Sequence, residues 1–181
     1  MQVIKNFDYS FNNPDNLFFT SDTHFGHKNI IEYCNRPFSS LDIMHETIIN
    51  NWNNVVSKNS VIFHLGDFVL GDSKTFYDVI SKLNGKIYLC IGNHDRENFK
   101  EEYKYFFEDI SYQYFIKVNN YKVLLSHIPY IYHSRREGGI MNLCGHIHMR
   151  PEKQFKLSEL QYDVGVDNNN YTPISFTEIL Q

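Results

Sequence analysis

The chain has 181 residues, 42% of them hydrophobic and 16% aromatic, with a formal charge of −4. That much apolar surface excludes an intrinsically disordered chain, and the length suits one domain, residues 1–181, around a substantial core. The mild charge excludes a protein held to nucleic acid or anionic lipid mainly by bulk electrostatics.

Alanine is absent and Asn, Ile, Lys, Tyr and Phe are abundant, a bias that fits A/T-rich coding better than any chemistry. Cys34, Cys90 and Cys144 are odd in number and lack CxxC spacing, which points away from a disulfide scaffold and toward a reducing compartment. The first residues form no apolar leader, and no run of about 18 apolar residues occurs, so a cytoplasmic protein is expected.

The first expected strand is Asn16–Asp22, NLFFTSD, which delivers Asp22 to its C-terminal tip. Leu41, Met44, Ile48, Ile49, Trp52, Val55 and Val56 then fall at helical spacing behind Ser39 and Ser40, either of which can cap the helix. Ser60–Asp67 reads as a second buried strand turning at Gly66-Asp67. Lys74–Leu83 reads as a helix capped by Asp72 or Ser73 and ended by Asn84-Gly85.

Lys86–Asp95 reads as a third strand followed by a loop, and Asn98–Glu108 as a helix. Ile110–Val118 and Tyr121–His127 flank Asn119-Asn120 as a hairpin. GIMNLCGHIH is a further strand and turn, and QYDVGVD and PISFTEIL close the chain as strands. Early βαβ units followed by consecutive strands imply two packed sheets with helices outside.

The strand ends carry the chemistry. Asp22 and His24 follow the first strand, Asp67 the second, Asn93-His94-Asp95 the third, His127 a later one, and His146 and His148 the last. In open α/β sheets ligands bind at the C-terminal strand edge, and Asp, His and Asn converging there suit Mn, Fe, Zn or Co. The lack of a cysteine pair argues against structural zinc. Two carboxylates, four histidines and an amide oxygen exceed the needs of one ion but suit two ions sharing Asp67. The resulting weakly positive site would attract a phosphate ester.

SDTHFGH, LGDF, IGNHD, LLSH and CGHIH resemble, in order, the DxH, GD, GNH(D/E), H and GHxH motifs of the calcineurin-like metallophosphoesterases. The resemblance spans Asp22 to His148 and is nearest to small stand-alone bacterial and phage phosphoesterases. It implies a four-layer α/β/β/α sandwich of two mixed sheets flanked by helices. It further implies two divalent ions, manganese first, with Fe, Zn, Co or Ni as alternatives. One would be held by Asp22, His24, Asp67 and His148, the other by Asp67, Asn93, His127 and His146. His94 would protonate the leaving oxygen, with Asp95 placed in sequence to orient it, while a metal-bridging hydroxide attacks a phosphomonoester or phosphodiester.

The FVLGD stretch after Asp67 lacks the Arg of the large protein-phosphatase branch, and no capping domain is evident. The expected partner is a small phosphorylated substrate, a nucleotide being one candidate, with no membrane and no strong nucleic-acid signal. A nuclease or cyclic-nucleotide phosphodiesterase is the rival enzyme, and a catalytically silent scaffold the rival from another class.

Other residues divide between sharp and plain readings. Arg36 and Arg96 lead the candidates for gripping a phosphate, ahead of Arg135, Arg136 and Arg150. His27 fits either a phosphate contact or a supporting position. His64 reads as a core histidine, His45 and His133 as surface or packing residues, and Cys144 as a buried thiol. Tyr130 and Tyr132 with Arg135-Arg136 read as a solvated loop rather than a base-binding lip. Asp167, after Val164-Gly165-Val166, reads as a turn cap, with support of the metal shell as the alternative.

Overall fold

The structure, a computed structural model, describes residues 7–130, 139–148 and 160–181. Tyr132, His133, Arg135, Arg136 and Arg150 lie outside the described residues.

One five-stranded sheet has the order β10-β2-β3-β4-β5, built from Ile174–Ser175, Leu17–Thr20, Val61–His64, Lys86–Cys90 and Asp109–Ser111. Its strands are parallel except β10. The second has the order β1-β6-β7-β8-β9, built from Tyr9–Phe11, Gln113–Val118, Tyr121–Ser126, Met141–Cys144 and Gln161–Asp163. Within it only β6 and β7 run antiparallel.

The alternation of side chains along a strand explains how the first sheet is buried on both faces. Leu17 and Phe19 of β2 and Phe63 of β3 pack with Ile116, Val123, Leu125 and Leu143 of the facing sheet. Phe18, Ile62, Ile87 and Leu89 point the other way, into a cluster with the helices. Helix α2 (Leu41–Val55) buries Met44, Ile48, Ile49 and Trp52 there, and Ser40 caps it by accepting the Ile43 N–H at 3.2 Å. Helix α3 (Ser73–Ile80) is capped by Asp72, whose Oδ1 accepts the Thr75 N–H at 2.8 Å. The result is the expected α/β architecture of two mixed sheets with flanking helices.

Several expected boundaries shift. Helix α3 stops at Ile80 because Lys82 and Leu83 tighten into i→i−3 bonds before Gly85 turns at φ +101°. The loop expected after β4 contains helix α4 (Asn93–Asn98), and the helix expected to Glu108 is a 3₁₀ segment over Glu101–Phe106. The run from Ile110 to Val118 divides at Tyr112 between β5 and β6, which belong to different sheets. Only Ile174–Ser175 of the last segment is strand. Ser175 and Glu178 then form a capping box that opens α5 (Phe176–Ile179). Helix α1 (Ile30–Tyr33) is a short turn ahead of α2. Among the described residues no helix is long and apolar enough to cross a membrane.

Candidate metal centre

The C-terminal ends of β2, β3, β4, β7 and β8 meet at one edge where the two sheets face each other. A parallel bridge between Ser21 and Gly165 joins them there. The loops after β2 and β3 run side by side, with Asp22 N–H bonded to Gly66 O and His24 N–H to Asp67 O, both at 3.0 Å. From the second sheet, Gly145 N–H bonds to His127 O at 2.9 Å and aligns the loops after β7 and β8.

Asp22, His24 and His148 bring donor atoms within 4.8 Å of one another, and so do Asp67, His127 and His146. Asp67 touches both groups: its Oδ2 lies 3.5 Å from His24 Nε2 and 3.4 Å from His127 Nε2. The Asn93 side-chain oxygen lies 3.0 Å from His127 Nε2, and His146 Nδ1 is 3.2 Å from the same nitrogen. All seven side chains picked out by sequence therefore gather at this edge.

The hydrogen bonding around these groups fits a cation. Each carboxylate has one oxygen fixed by backbone, Asp22 Oδ2 by the His146 N–H and Asp67 Oδ1 by the His94 N–H, both at 2.9 Å. Asp22 Oδ1 and His24 Nε2 are buried yet have no hydrogen-bond partner. Buried polar atoms are rarely left so, because the loss of water is uncompensated. His127 Nδ1 donates to Leu65 O at 2.8 Å, which frees Nε2 to face Asn93 Oδ1, an acceptor. A divalent ion would take the place of the proton that Nε2 otherwise needs among these acceptors.

The backbone is bent to make this convergence. Asp22, His24, Asp67, His146 and His148 all adopt the left-handed region, with φ between 48° and 72°. Such a conformation costs an L-residue roughly 1–2 kcal/mol and concentrates at functional sites. Glycines make room for the loops. A Cβ on Gly66 would lie 2.6 Å from His127 Nδ1, one on Gly92 would overlap Asp67 Oδ1, and one on Gly145 would overlap Ser21 Oγ and Asp22 Oδ2.

Charge is unevenly shared. Burial holds His24 neutral, its pKa lowered to about 2 against the pull of Asp67. Burial opposes charge on His127 and His148 too. For His127 the Asp67 hydrogen bond and the Asp22 charge outweigh it, raising the pKa to about 9. For His148 the Asp167 and Cys34 hydrogen bonds do so, raising it to about 10. Burial also works against the Asp67 carboxylate, but the hydrogen bond and charge of His127 hold it well below the usual range. Two protons thus stand where a cation would supply the positive charge.

His94, at the start of α4, lies half-buried with its ring 5.4 Å from the His24 ring. Two residues proposed from sequence stand differently from expectation. The Asp95 carboxylate does not orient His94. Its oxygens accept the backbone N–H groups of Asp67 at 2.6 Å, Phe68 at 2.9 Å and Gly92 at 2.9 Å. Arg36 cannot grip a substrate from solvent, because its side chain is fully buried in a pair with Asp167. Its Nε lies 2.8 Å from Asp167 Oδ1 and its Nη2 2.9 Å from Oδ2. His27 Nδ1 shares a hydrogen bond of 3.3 Å with His24 Nδ1, and with the proton on His24 the Nε2 lone pair stays free.

Arg96 is exposed, its guanidinium 5.4 Å from the Tyr112 ring centroid. His64 is a satisfied core histidine, bonded to Thr23 Oγ1 at 3.0 Å and accepting the Gly66 N–H at 3.3 Å. His45 accepts the Gly26 N–H at 2.8 Å and so braces the loop that carries His24.

A model of the calcineurin-like phosphoesterase family matches residues 16–171. An uncharacterized protein of Methanocaldococcus jannaschii is 35% identical over 171 residues, covering 91% of this chain and 89% of that protein. The gene 66 protein of Mycobacterium phage L5 is 31% identical over 180 residues, covering 84% of this chain and 86% of its own. A crystal structure of a protein of unknown function from Aquifex aeolicus superposes with a TM-score of 0.70 at 26% identity. It covers 90% of this chain and 96% of its own.

Proposed function

The chain belongs to the calcineurin-like phosphoesterase family, and we propose that it is a metal-dependent hydrolase cleaving a small phosphomonoester or phosphodiester by direct attack of water. The observation that carries this reading is the set of opposed, partly orphaned donor atoms at the strand edge. Asp22, His24, Asp67 and His148 would hold one divalent ion, and Asp67, Asn93, His127 and His146 a second. Such ions, manganese by preference, supply a water of near-neutral pKa and polarise phosphoryl oxygens.

The chain's own residues do the rest. Asp67 spans both donor groups with Oδ2 while the His94 N–H holds Oδ1, so its orientation is set before any ligand arrives. His94, half-buried next to His24, is suited to give a proton to the leaving oxygen. Asn93 and His146 are the exposed members of the set, so the ester would approach from their side. With Arg36 buried, contact with the phosphate or its substituent falls to Arg96 and His27. The charge of −4 favours a short ester, such as a nucleotide, over a long polyanion. The absence of disulfides among Cys34, Cys90 and Cys144 agrees with a cytoplasmic setting.

The test is hydrolysis of nitrophenyl phosphate and bis-nitrophenyl phosphate by protein freed of metal with a chelator and then given Mn²⁺. Restored turnover on either ester supports the reading, and the ratio of the two rates separates monoester from diester preference. No turnover on either ester with any divalent ion would favour a silent scaffold instead.

A further inference from the structure

Arg36 and Asp167 lie 131 positions apart in the chain, and their contacts converge on one half of the donor set. The Arg36 guanidinium forks onto both oxygens of Asp167. Two of its remaining hydrogens reach the loop after β2, with Nη2 donating to Asp22 O at 2.7 Å and Nη1 to Thr23 O at 3.1 Å, while Nη1 also donates to Met44 Sδ at 3.4 Å. Asp167 Oδ2 in turn receives His148 Nδ1 at 2.7 Å. Arg36 thus braces the backbone that holds Asp22 and His24 and reaches His148 through Asp167. Among the described residues it makes no hydrogen bond to the second group, which is built by Asp67, His127 and His146.

The chemistry gives direction to this arrangement. A carboxylate paired with a guanidinium only accepts, so a proton must stay on His148 Nδ1, and Nε2 is the nitrogen that would yield its proton to a cation. That Nε2 lies 3.8 Å from the orphaned Asp22 Oδ1. Asp167 and Cys34 sit close enough to His148 to form a donor cluster of their own. Both Asp167 oxygens, however, are already taken by Arg36, which suits a supporting role better than direct ligation. The buried fork also holds Asp22 and His24 in their left-handed backbone, at φ 58° and 50°.

We propose that Arg36 and Asp167 are positioning residues for one half of the metal centre, setting the His148 tautomer and the pose of the Asp22–His24 loop. The proposal rests on the reading of Asp22, His24 and His148 as ligands to one ion.

The experiment is calorimetric titration of metal-free protein with Mn²⁺, for the wild type, Asp167→Asn and Arg36→Lys. The wild type should take up two ions. Each variant should keep the affinity of one and lose roughly tenfold to hundredfold in the other, as is usual when a histidine ligand loses its outer partner. In the Asp167→Asn background, Arg36→Lys should add little, because the two act through one contact. Nitrogen-correlated NMR of zinc-loaded wild type, which needs no variant to fold, should find His148 protonated at Nδ1.

Two ions bound with wild-type affinity in both variants, equal weakening of both ions, or a bare His148 Nδ1 would overturn the proposal. Fewer than two ions in the wild type would instead overturn the ligand reading beneath it.

Discussion

Asp95 accepts the Asp67 backbone N–H at 2.6 Å, so the residue after His94 fastens the backbone beneath the carboxylate at the middle of the site. Burial pushes the Asp95 carboxyl up to about 6 despite its backbone hydrogen bonds from Gly92, Phe68 and Asp67. Asp95→Asn would turn an amide NH₂ toward backbone donors and should cost about 1–3 kcal/mol of stability. Thermal melting together with metal analysis checks this. The variant should melt lower and retain less metal. Full metal content with only a shifted pH–rate profile would return Asp95 to the role of orienting His94.

Metal uptake should release protons. With His127 at about 9 and His148 at about 10 in the metal-free chain, both hold protons near neutrality that a cation must displace. Because the bound form carries fewer protons, raising pH favours binding. Each ion displaces one of these protons, so the apparent affinity of each should climb by up to about tenfold per pH unit between pH 6 and 8. Titrations in buffers of different ionisation enthalpy count the protons directly, and a pH-independent affinity would contradict the assignment.

His94→Ala should slow turnover roughly 10²–10⁴-fold, the range for losing a general acid, while metal content stays at the wild-type level. A leaving group that needs no proton should be far less sensitive to the change. Comparing nitrophenyl and alkyl phosphates separates the two cases. Metal loss in this variant would show that His94 serves the ions instead.

Two glycines that offer no donor should matter to metal binding. Gly92→Ala drives a methyl group into Asp67 Oδ1, and Gly145→Ala drives one into Asp22 Oδ2 and Ser21 Oγ. Each should cost about 1–3 kcal/mol of stability by overpacking and weaken metal affinity as well. Melting curves and titrations measured together are the check. Wild-type affinity in both variants would mean the carboxylates have room to move.

The seven donors were legible because each follows a strand, and strand ends are set by local apolar patterning. Helix α2 was legible for a related reason: Met44, Ile48, Ile49 and Trp52 repeat at the helical period behind a serine cap. Arg36 and Asp95 were misjudged because a charged residue beside a motif reads the same whether its partner is a ligand or a distant backbone group. The Arg36 partner lies 131 residues away, and no local pattern encodes that pairing. Asp167 read first as a turn cap, but its oxygens go to Arg36 and His148, which favours the alternative of supporting the metal shell. The division of Ile110–Val118 between two sheets was hidden because both halves share the same β-forming composition.

The most direct test of the two-ion centre is metal stoichiometry, measured by mass spectrometry on protein loaded with Mn²⁺ and passed through a desalting column. Two ions per wild-type chain and fewer than one in Asp67→Ala are expected, since Asp67 Oδ2 faces both donor groups. A single ion in the wild type, or two in Asp67→Ala, would contradict the account.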